Sequence, residues 1–429
     1  MKRDFSLRLT PSFLDGALLA GGAIPDAVLV YCGATCIDER ARHTIPRHDR
    51  GQTLLGPGSA TRLVTTFTDD SMSPMGTARV LEETARKVLA ARRPGLLILA
   101  ELSCVTLAGE DLKATAGAIG AWFPSPVVAA VSRRLARDCA DAFGSVLCGI
   151  AAGLPEEAFS RGLAADRVAL LGYFFDRHEG DRTGDVAVLR EMLGALGLKL
   201  EAPWLSGAGM AELSAAAGAS VILALPQGLA AARLLAARSG ARVVPVDLPV
   251  GLGGTAAWLR RVGAALGREG AAERYISSQL DRVVPRLEWV VSRELEGRRA
   301  AVCAAPEWLR GLVPFLDLEL GVEVGLALPR GRCLPDGGLV DENDPAREID
   351  PSVETLCAGL GRVRAAGGLD LVIGSSWERR SAQGLLDGCG WVEFGYPSLN
   401  RHFLSPAPHL GFEGALTWAE RLASECVVR

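Results

Sequence analysis

The sequence predicts an α/β fold of three doubly wound, Rossmann-like lobes with parallel sheets. Short and continuously apolar segments recur along the chain, and segments with apolar residues at helical spacing lie between them. Continuous apolar strands that alternate with amphipathic helices are typical of parallel sheets covered on both faces. The chain has 429 residues, which is too long for a single hydrophobic core.

The predicted strands are apolar runs that end at polar or glycine-containing turns. Ala27–Tyr31 is the first, and the others are "GLLILAEL" (95–102), "PVVAAVS" (126–132), "RVALLGYF" (167–174), "SVILALP", "RVVPVDLP", "AAVCAAP", "VEVGLALP" and "DLVIGSS". Residues 184–197 have helical spacing and end in glycine, and similar helices are predicted after the later strands. The longest predicted helix covers 270–297, with a kink expected at Pro285.

Two interruptions of this alternation predict the domain boundaries. The segment "AAGLPEEAFSRGLAAD" breaks the pattern near residues 151–165, and a new β-α-β unit starts at Arg298. We therefore expect lobes at residues 1–160, 161–297 and 298–429.

Charge and hydropathy exclude some classes of function. The formal net charge is −4, whereas nucleic-acid-binding domains usually carry a basic surface. We find no apolar run of the roughly 18 residues that a membrane span needs. The N-terminal segment also lacks a clean signal-peptide core, because Asp4 and Asp15 flank its apolar stretch. These features predict a cytoplasmic protein that binds neither nucleic acid nor membranes.

The segment "YCGATCIDERARHTIPRHDRG" (31–51) raises the question of a metal site. The chain has 10 cysteines, and in a long cytoplasmic protein most of these are reduced thiols packed in the core. One interpretation is a zinc site of Cys32, Cys36, His43 and His48, although the spacing differs from that of zinc fingers. Another is that both cysteines pack at the end of a strand.

Cys104 offers a third interpretation. It follows a buried strand, as Cys36 does, so both thiols are expected at strand carboxyl ends in one lobe. Soft thiolates in such a position suit iron–sulfur ligation.

Other loops carry weaker signals. The loop and helix in "LLGYFFDRHEGDRTGDV" could hold an anion, and glycines 251, 253 and 254 precede a helix, but a tight structural turn is favoured for both. Arg401, His402 and His409 lie in an irregular loop that is long for a simple connection. We find no G-x-S-x-G, H-E-x-x-H or Walker motif, so common hydrolase and NTPase chemistries have no support.

Three segments together resemble the component 1 family of nitrogenases and nitrogenase-like reductases. They are "SCVTLAGEDL" (103–112), "LLGYFFDRHEGDRTGDVAVLREMLGALGLKL" and "FGYPSLNRHFLSPAPHLGFEGALTW" (394–418), and the last is similar to the β-chain ending. The resemblance implies that Cys36 and Cys104 are cluster ligands and that Cys32 takes a glycine position. Ser12 stands nearest to the family's first cysteine position, and Arg47, His48 and Arg50 match a basic stretch.

The resemblance also implies a function and partners. The chain would be a β-type subunit of a nitrogenase-like two-component reductase, inactive alone. It would share a 4Fe-4S or 8Fe-7S type iron–sulfur cluster with an α-type component 1 chain, as a heterodimer or α2β2 complex. An ATP-dependent iron protein would deliver electrons, which the cluster relays to a site held mainly by the α-type chain. The alternative is a non-catalytic scaffold subunit for assembling a nitrogenase-type metallocofactor, because a cysteine is missing near Ser12. A cluster-free structural partner is a third alternative.

Overall fold

The computed structural model describes most of the chain. The described residues are 9–33, 36–45, 49, 53–56, 61–66, 76–102, 111–131, 138–160, 162–174, 178–201, 203–331, 351–402 and 404–426. Within them, the chain divides into two compact units. One unit contains residues 11–175 and 201–243, and the other contains residues 1–10, 176–200 and 244–429.

The strands form three parallel sheets, as the apolar runs predict. They are β1 Ala27–Cys32, β2 Leu63–Thr65, β3 Leu96–Glu101, β4 Val127–Ala129, β5 Ala164–Leu171, β6 Lys199–Leu200, β7 Ala219–Ala224, β8 Arg242–Pro245, β9 Arg299–Ala304, β10 Glu323–Pro329, β11 Leu371–Gly374 and β12 Gly390–Glu393. The described strands are ordered β2-β1-β3-β4, β6-β5-β7-β8 and β10-β9-β11-β12. In each sheet the second strand in the sequence is added on one side of the first strand, and the later strands are added on the other side. This reversal confirms the predicted α/β fold with three doubly wound sheets.

The helices come before, between and after these strands in the sequence. They are α1 Phe13–Gly22, α2 Cys36–Thr44, α3 Thr77–Ala91, α4 Leu112–Gly120, α5 Cys139–Gly153, α6 Glu179–Ala195, α7 Met210–Ala215, α8 Leu229–Ser239, α9 Gly251–Leu266, α10 Glu269–Val290, α11 Pro306–Pro314, α12 Val353–Ala365, α13 Ser376–Ser381 and α14 Gly411–Glu425. The helix predicted at 270–297 is α-helical only over Glu269–Val290, and a π-helical turn at Val291–Leu295 follows it. No helix among the described residues has the length and apolar character that a membrane crossing requires.

The core of the first sheet has two faces. Leu29, Tyr31 and Ile98 belong to the apolar cluster on one face, whereas Val28 and Val30 belong to the cluster on the other. Successive strand residues point to opposite faces, so every residue of β1 is buried. This burial explains why the strand reads as a continuous apolar run.

Helix α1 packs closely against α5 at a glycine. A Cβ atom added to Gly16 would lie 2.1 Å from the carbonyl oxygen of Cys139, which is much closer than atoms approach in proteins. The Cys139 amide also donates a hydrogen bond of 3.1 Å to the Pro11 carbonyl. The first turn of α1 is therefore held against the first turn of α5.

We predict that Gly16→Ala destabilises the protein although alanine favours helices. The added methyl group must displace backbone, at a cost of about 1–3 kcal/mol. Urea unfolding measures the effect. Gly117→Ala is the matched control, since Gly117 also lies inside a helix but has open space at its Cβ position. We expect it to stabilise the protein by about 0.5–1 kcal/mol. Equal stability changes in the two variants would contradict this packing.

Candidate functional site

The first sheet has a topological switch point between β1 and β3. These strands are neighbours in parallel register, with Cys32 opposite Glu101, and the Leu102 amide donates a 3.1 Å hydrogen bond to the Cys32 carbonyl. In the order β2-β1-β3-β4, the chain continues to one side of the sheet after β1 and to the other side after β3. Ligands of open α/β sheets bind at the carboxyl ends of strands at such a point.

Helices on opposite faces flank this switch point. Ile37 and Ala41 of α2, which follows β1, pack in the cluster that contains Tyr31. Leu112 and Ala116 of α4, which follows β3, pack in the cluster on the other face. The two connections therefore diverge, and the carboxyl edge between β1 and β3 is the candidate site.

Cys36 and Cys32 occupy different environments at this edge. Cys36 is the first residue of α2 and is exposed, whereas Cys32 is the last residue of β1 and is completely buried. The zinc interpretation gains no support, because the His43 side chain is 77% exposed and lies 3.9 Å from Glu39. His48 lies outside the described residues. Among the residues that are described, no three His, Cys, Asp or Glu side chains form a group that could hold a metal ion.

Five other cysteines have environments that disfavour metal binding. Burial raises the thiol pKa of each above its ordinary value, most strongly at the fully buried Cys303. The others are Cys148, Cys357, Cys389 and Cys426. Metal ligation needs the thiolate, so a raised pKa opposes it.

Ser12 is engaged in capping α1. Its hydroxyl donates to the Asp15 carboxylate at 2.7 Å, and the same carboxylate accepts from the Ser12 amide at 2.8 Å. The Asp15 amide in turn donates to the Ser12 hydroxyl at 3.4 Å, completing a capping box. The other residues that the sequence assigned to this site, namely Cys104, Arg47, His48 and Arg50, lie outside the described residues.

At the switch points of the other two sheets, described residues of the chain contact one another closely. In the second sheet, a Cβ on Gly172 after β5 would lie 2.4 Å from the Gly228 amide nitrogen. In the third sheet, Glu378 after β11 is fully buried and lies 2.8 Å from the Arg330 guanidinium. The Ser375 amide and hydroxyl also donate to Glu378. These contacts are structural.

The glycines predicted to precede a helix instead form the first turn of α9, and this turn is also structural. Gly251 has a φ of +70°, and a Cβ there would lie 2.5 Å from the Phe315 ring. The Glu319 carboxylate accepts hydrogen bonds from the amides of Leu252 and Gly253 at 2.7 and 2.9 Å, which occupies the helix N-terminus. At α6, Glu179 and Asp181 place negative charge in the first turn, which disfavours an anion there.

His409 is buried in the C-terminal part of the chain, not exposed in a binding loop. The Arg421 guanidinium donates to its Nε2, and its Nδ1 lies 3.7 Å from Asp181. The Asp185 carboxylate accepts from the amides of His409 and Leu410 at 2.6 and 3.0 Å. Sequence reasoning missed Asp185 and Arg421, and the only signal for them was the unusual length of the loop.

Comparisons with known proteins agree with this architecture. Residues 12–426 match the family model described as "Nitrogenase component 1 type Oxidoreductase". The solved structure "Nitrogenase Cp1 at pH 6.5" superposes with a TM-score of 0.77 at 14% identity, covering 99% of this chain and 93% of that chain. "Nitrogenase Cp1 at pH 5" gives 0.72 at 14% identity, with coverages of 99% and 90%. No curated protein matches the sequence.

At such low identity the solved structures establish the shared fold alone, whereas the family model covers nearly the whole chain. The chain belongs to the nitrogenase component 1 type oxidoreductase family.

Proposed function

We propose that this chain is a β-type subunit of a nitrogenase-like two-component reductase in the cytoplasm. Cys36 and Cys104 would ligate an iron–sulfur cluster that is shared with an α-type chain. The cluster supplies one-electron chemistry when bound, relaying electrons from an ATP-dependent iron protein to a site held mainly by the partner. We propose lobes at residues 1–160, 161–297 and 298–429. The first of these lobes would carry the ligands.

The observation that carries this proposal is the switch point between β1 and β3. Cys36 lies four residues after Cys32, and Cys104 lies two residues after Leu102. Cys36 therefore follows β1 in the sequence and Cys104 follows β3, and these two strands are neighbours in the first sheet. This order supports the proposal that the two thiols share one ligand.

The donor set fits a cluster that two chains share. Cys36 is an exposed thiol, whereas the other described cysteines are buried or partly buried. Two thiolates from this chain are fewer than the four that a 4Fe-4S cluster uses. The remaining ligands would come from an α-type chain, so the working unit would be a heterodimer or α2β2 complex.

The scaffold role remains the second candidate. Ser12 stands where a third cysteine is expected in a catalytic β chain, and its hydroxyl caps α1. The presence of Cys104 favours the reductase. The segment "SVILALPQGLAAARLL" contains no cysteine, so in either role the α-type chain would hold the active-site or maturing cofactor.

We predict that Cys36→Ala removes the cluster signal from the complex with the α-type chain. The change deletes one thiolate, so bound iron and acid-labile sulfide fall and the EPR signal is lost. Cys32→Ala is the matched control, since Cys32 is only four residues away but is buried in β1. Its iron content should equal that of the wild type. Loss of iron in Cys32→Ala with retention in Cys36→Ala would overturn the assignment.

Cys104→Ala should lower the iron content as Cys36→Ala does. If both thiols ligate one cluster, the double variant should lose little more iron than either single variant, because ligands of one site act as a unit. Cys389→Ala tests for general thiol effects and should retain the iron. Additive, independent losses would indicate two separate sites.

A turnover experiment separates the reductase from the scaffold. We expect the anaerobic complex, mixed with the iron protein and MgATP, to show a changed EPR signal while its iron stays bound. A relay must keep its cluster, whereas a scaffold hands over its cargo. Transfer of the iron to an acceptor protein would select the scaffold role.

A further inference from the structure

A buried carboxylate joins the first two helices of the chain beside the candidate site. Asp15 is fully buried, and Arg40 of α2 reaches it with two hydrogen bonds, from Nε to Oδ1 at 3.0 Å and from Nη2 to Oδ2 at 2.7 Å. The side chain of Arg40 is 37% exposed, so the pair is partly shielded from water. Such two-pronged, charge-assisted contacts restrict geometry as well as adding stability.

Helix α2 is short and buries few side chains. It has nine residues, which is shorter than the roughly 12–15 that an isolated helix needs. Its buried side chains are those of Ile37, Ala41 and Thr44. Among the described residues, a small apolar contact and the ion pair of Arg40 with Asp15 support the position of the helix.

Cys36 lies one helical turn before Arg40. Residues four apart on a helix are neighbours on one face, so fixing Arg40 also fixes the turn that carries Cys36. On the other side of Asp15, Ser12 donates its hydroxyl hydrogen and its amide hydrogen to the same carboxylate. Ser12, Asp15 and Arg40 thus form one connected unit, which we call the latch.

We propose that the latch positions Cys36, and that Ser12 acts in it as a helix cap and not as a cluster ligand. Ligation of a metal through the Ser12 oxygen would require loss of the hydroxyl proton. In the structure this proton is donated in a hydrogen bond to the Asp15 carboxylate. The latch would hold the cysteine-bearing helix against α1 without any metal. This inference rests on the proposed function for the role of Cys36, but the positioning itself concerns the metal-free chain.

Hydrogen–deuterium exchange of the full-length, metal-free chain tests the positioning. Asp15→Asn and Arg40→Gln should each speed amide exchange in residues 36–44 about tenfold, which corresponds to about 1.4 kcal/mol of lost protection. The double variant should add little, since either change breaks the same pair. Arg42→Gln is the matched control on the same helix and should leave exchange unchanged. Unchanged exchange in a folded Arg40→Gln variant would overturn the latch.

A substitution at Ser12 tests its assignment as a cap. Asparagine is a good N-cap residue but is not a thiolate or alkoxide ligand. Ser12→Asn should keep both the protection of α2 and the EPR signal and iron content of the complex with the α-type chain. Loss of the EPR signal with α2 still protected would overturn the cap assignment and make Ser12 a ligand.

A rescue variant connects the latch to the cluster. Asp15→Asn should lower iron in the complex and change the EPR line shape, and Asp15→Glu should restore both because it keeps the charge. Normal iron and line shape in Asp15→Asn would overturn the link between latch and Cys36. If wild-type complex contains no iron, the proposed function fails, whereas the exchange results still decide whether the latch exists.

Discussion

The buried carboxylate of Asp15 is the constraint on which the candidate site depends. A fully buried charge is costly unless it is paired and hydrogen-bonded, and Arg40 and Ser12 supply this pairing. The next residue, Gly16, lets α1 approach the backbone of α5 at Cys139. Residues 12–16 are therefore held by α2 on one side and by α5 on the other. The pairing of Arg40 with Asp15 in turn supports the position of α2. This short segment thus contacts both α2 and α5.

Much of the fold was predictable because its strands are buried on both faces. β1 and β3 appear in the sequence as continuous apolar runs, and the structure extends the first predicted strand by only one residue, to Cys32. The short strands Leu63–Thr65 and Lys199–Leu200 were not predicted, because two or three residues are too few to show a periodicity. The longest predicted helix ends earlier because a π-helical turn follows Val290, and the spacing of apolar residues does not reveal such a turn.

The candidate site was only partly predictable because its geometry depends on distant residues. The sequence indicates that Cys36 and Cys104 follow strands, but the strand order that brings those strands together is a tertiary property. Asp15 looks like an ordinary acid in the first turn of a helix, and its partner Arg40 lies 25 residues away. His409 lies in the loop before α14 as expected, but its burial and its partners Asp185 and Arg421, both distant in sequence, were not evident from the sequence.

The three switch points show how one architecture can serve structure and function. In the second and third sheets, the close approach of Gly172 and Gly228 and the Arg330–Glu378 pair lie at the corresponding edges. In the first sheet, the latch lies beside the edge and leaves Cys36 exposed at the start of α2. A ligand at the Ser12 position would tie α1 to a metal, whereas a cap ties α1 to α2 by hydrogen bonds alone. On the proposed function, the site would keep its shape without a cluster, and a partner chain would supply the remaining thiolates. Cluster retention would accordingly depend on the stability of the subunit interface.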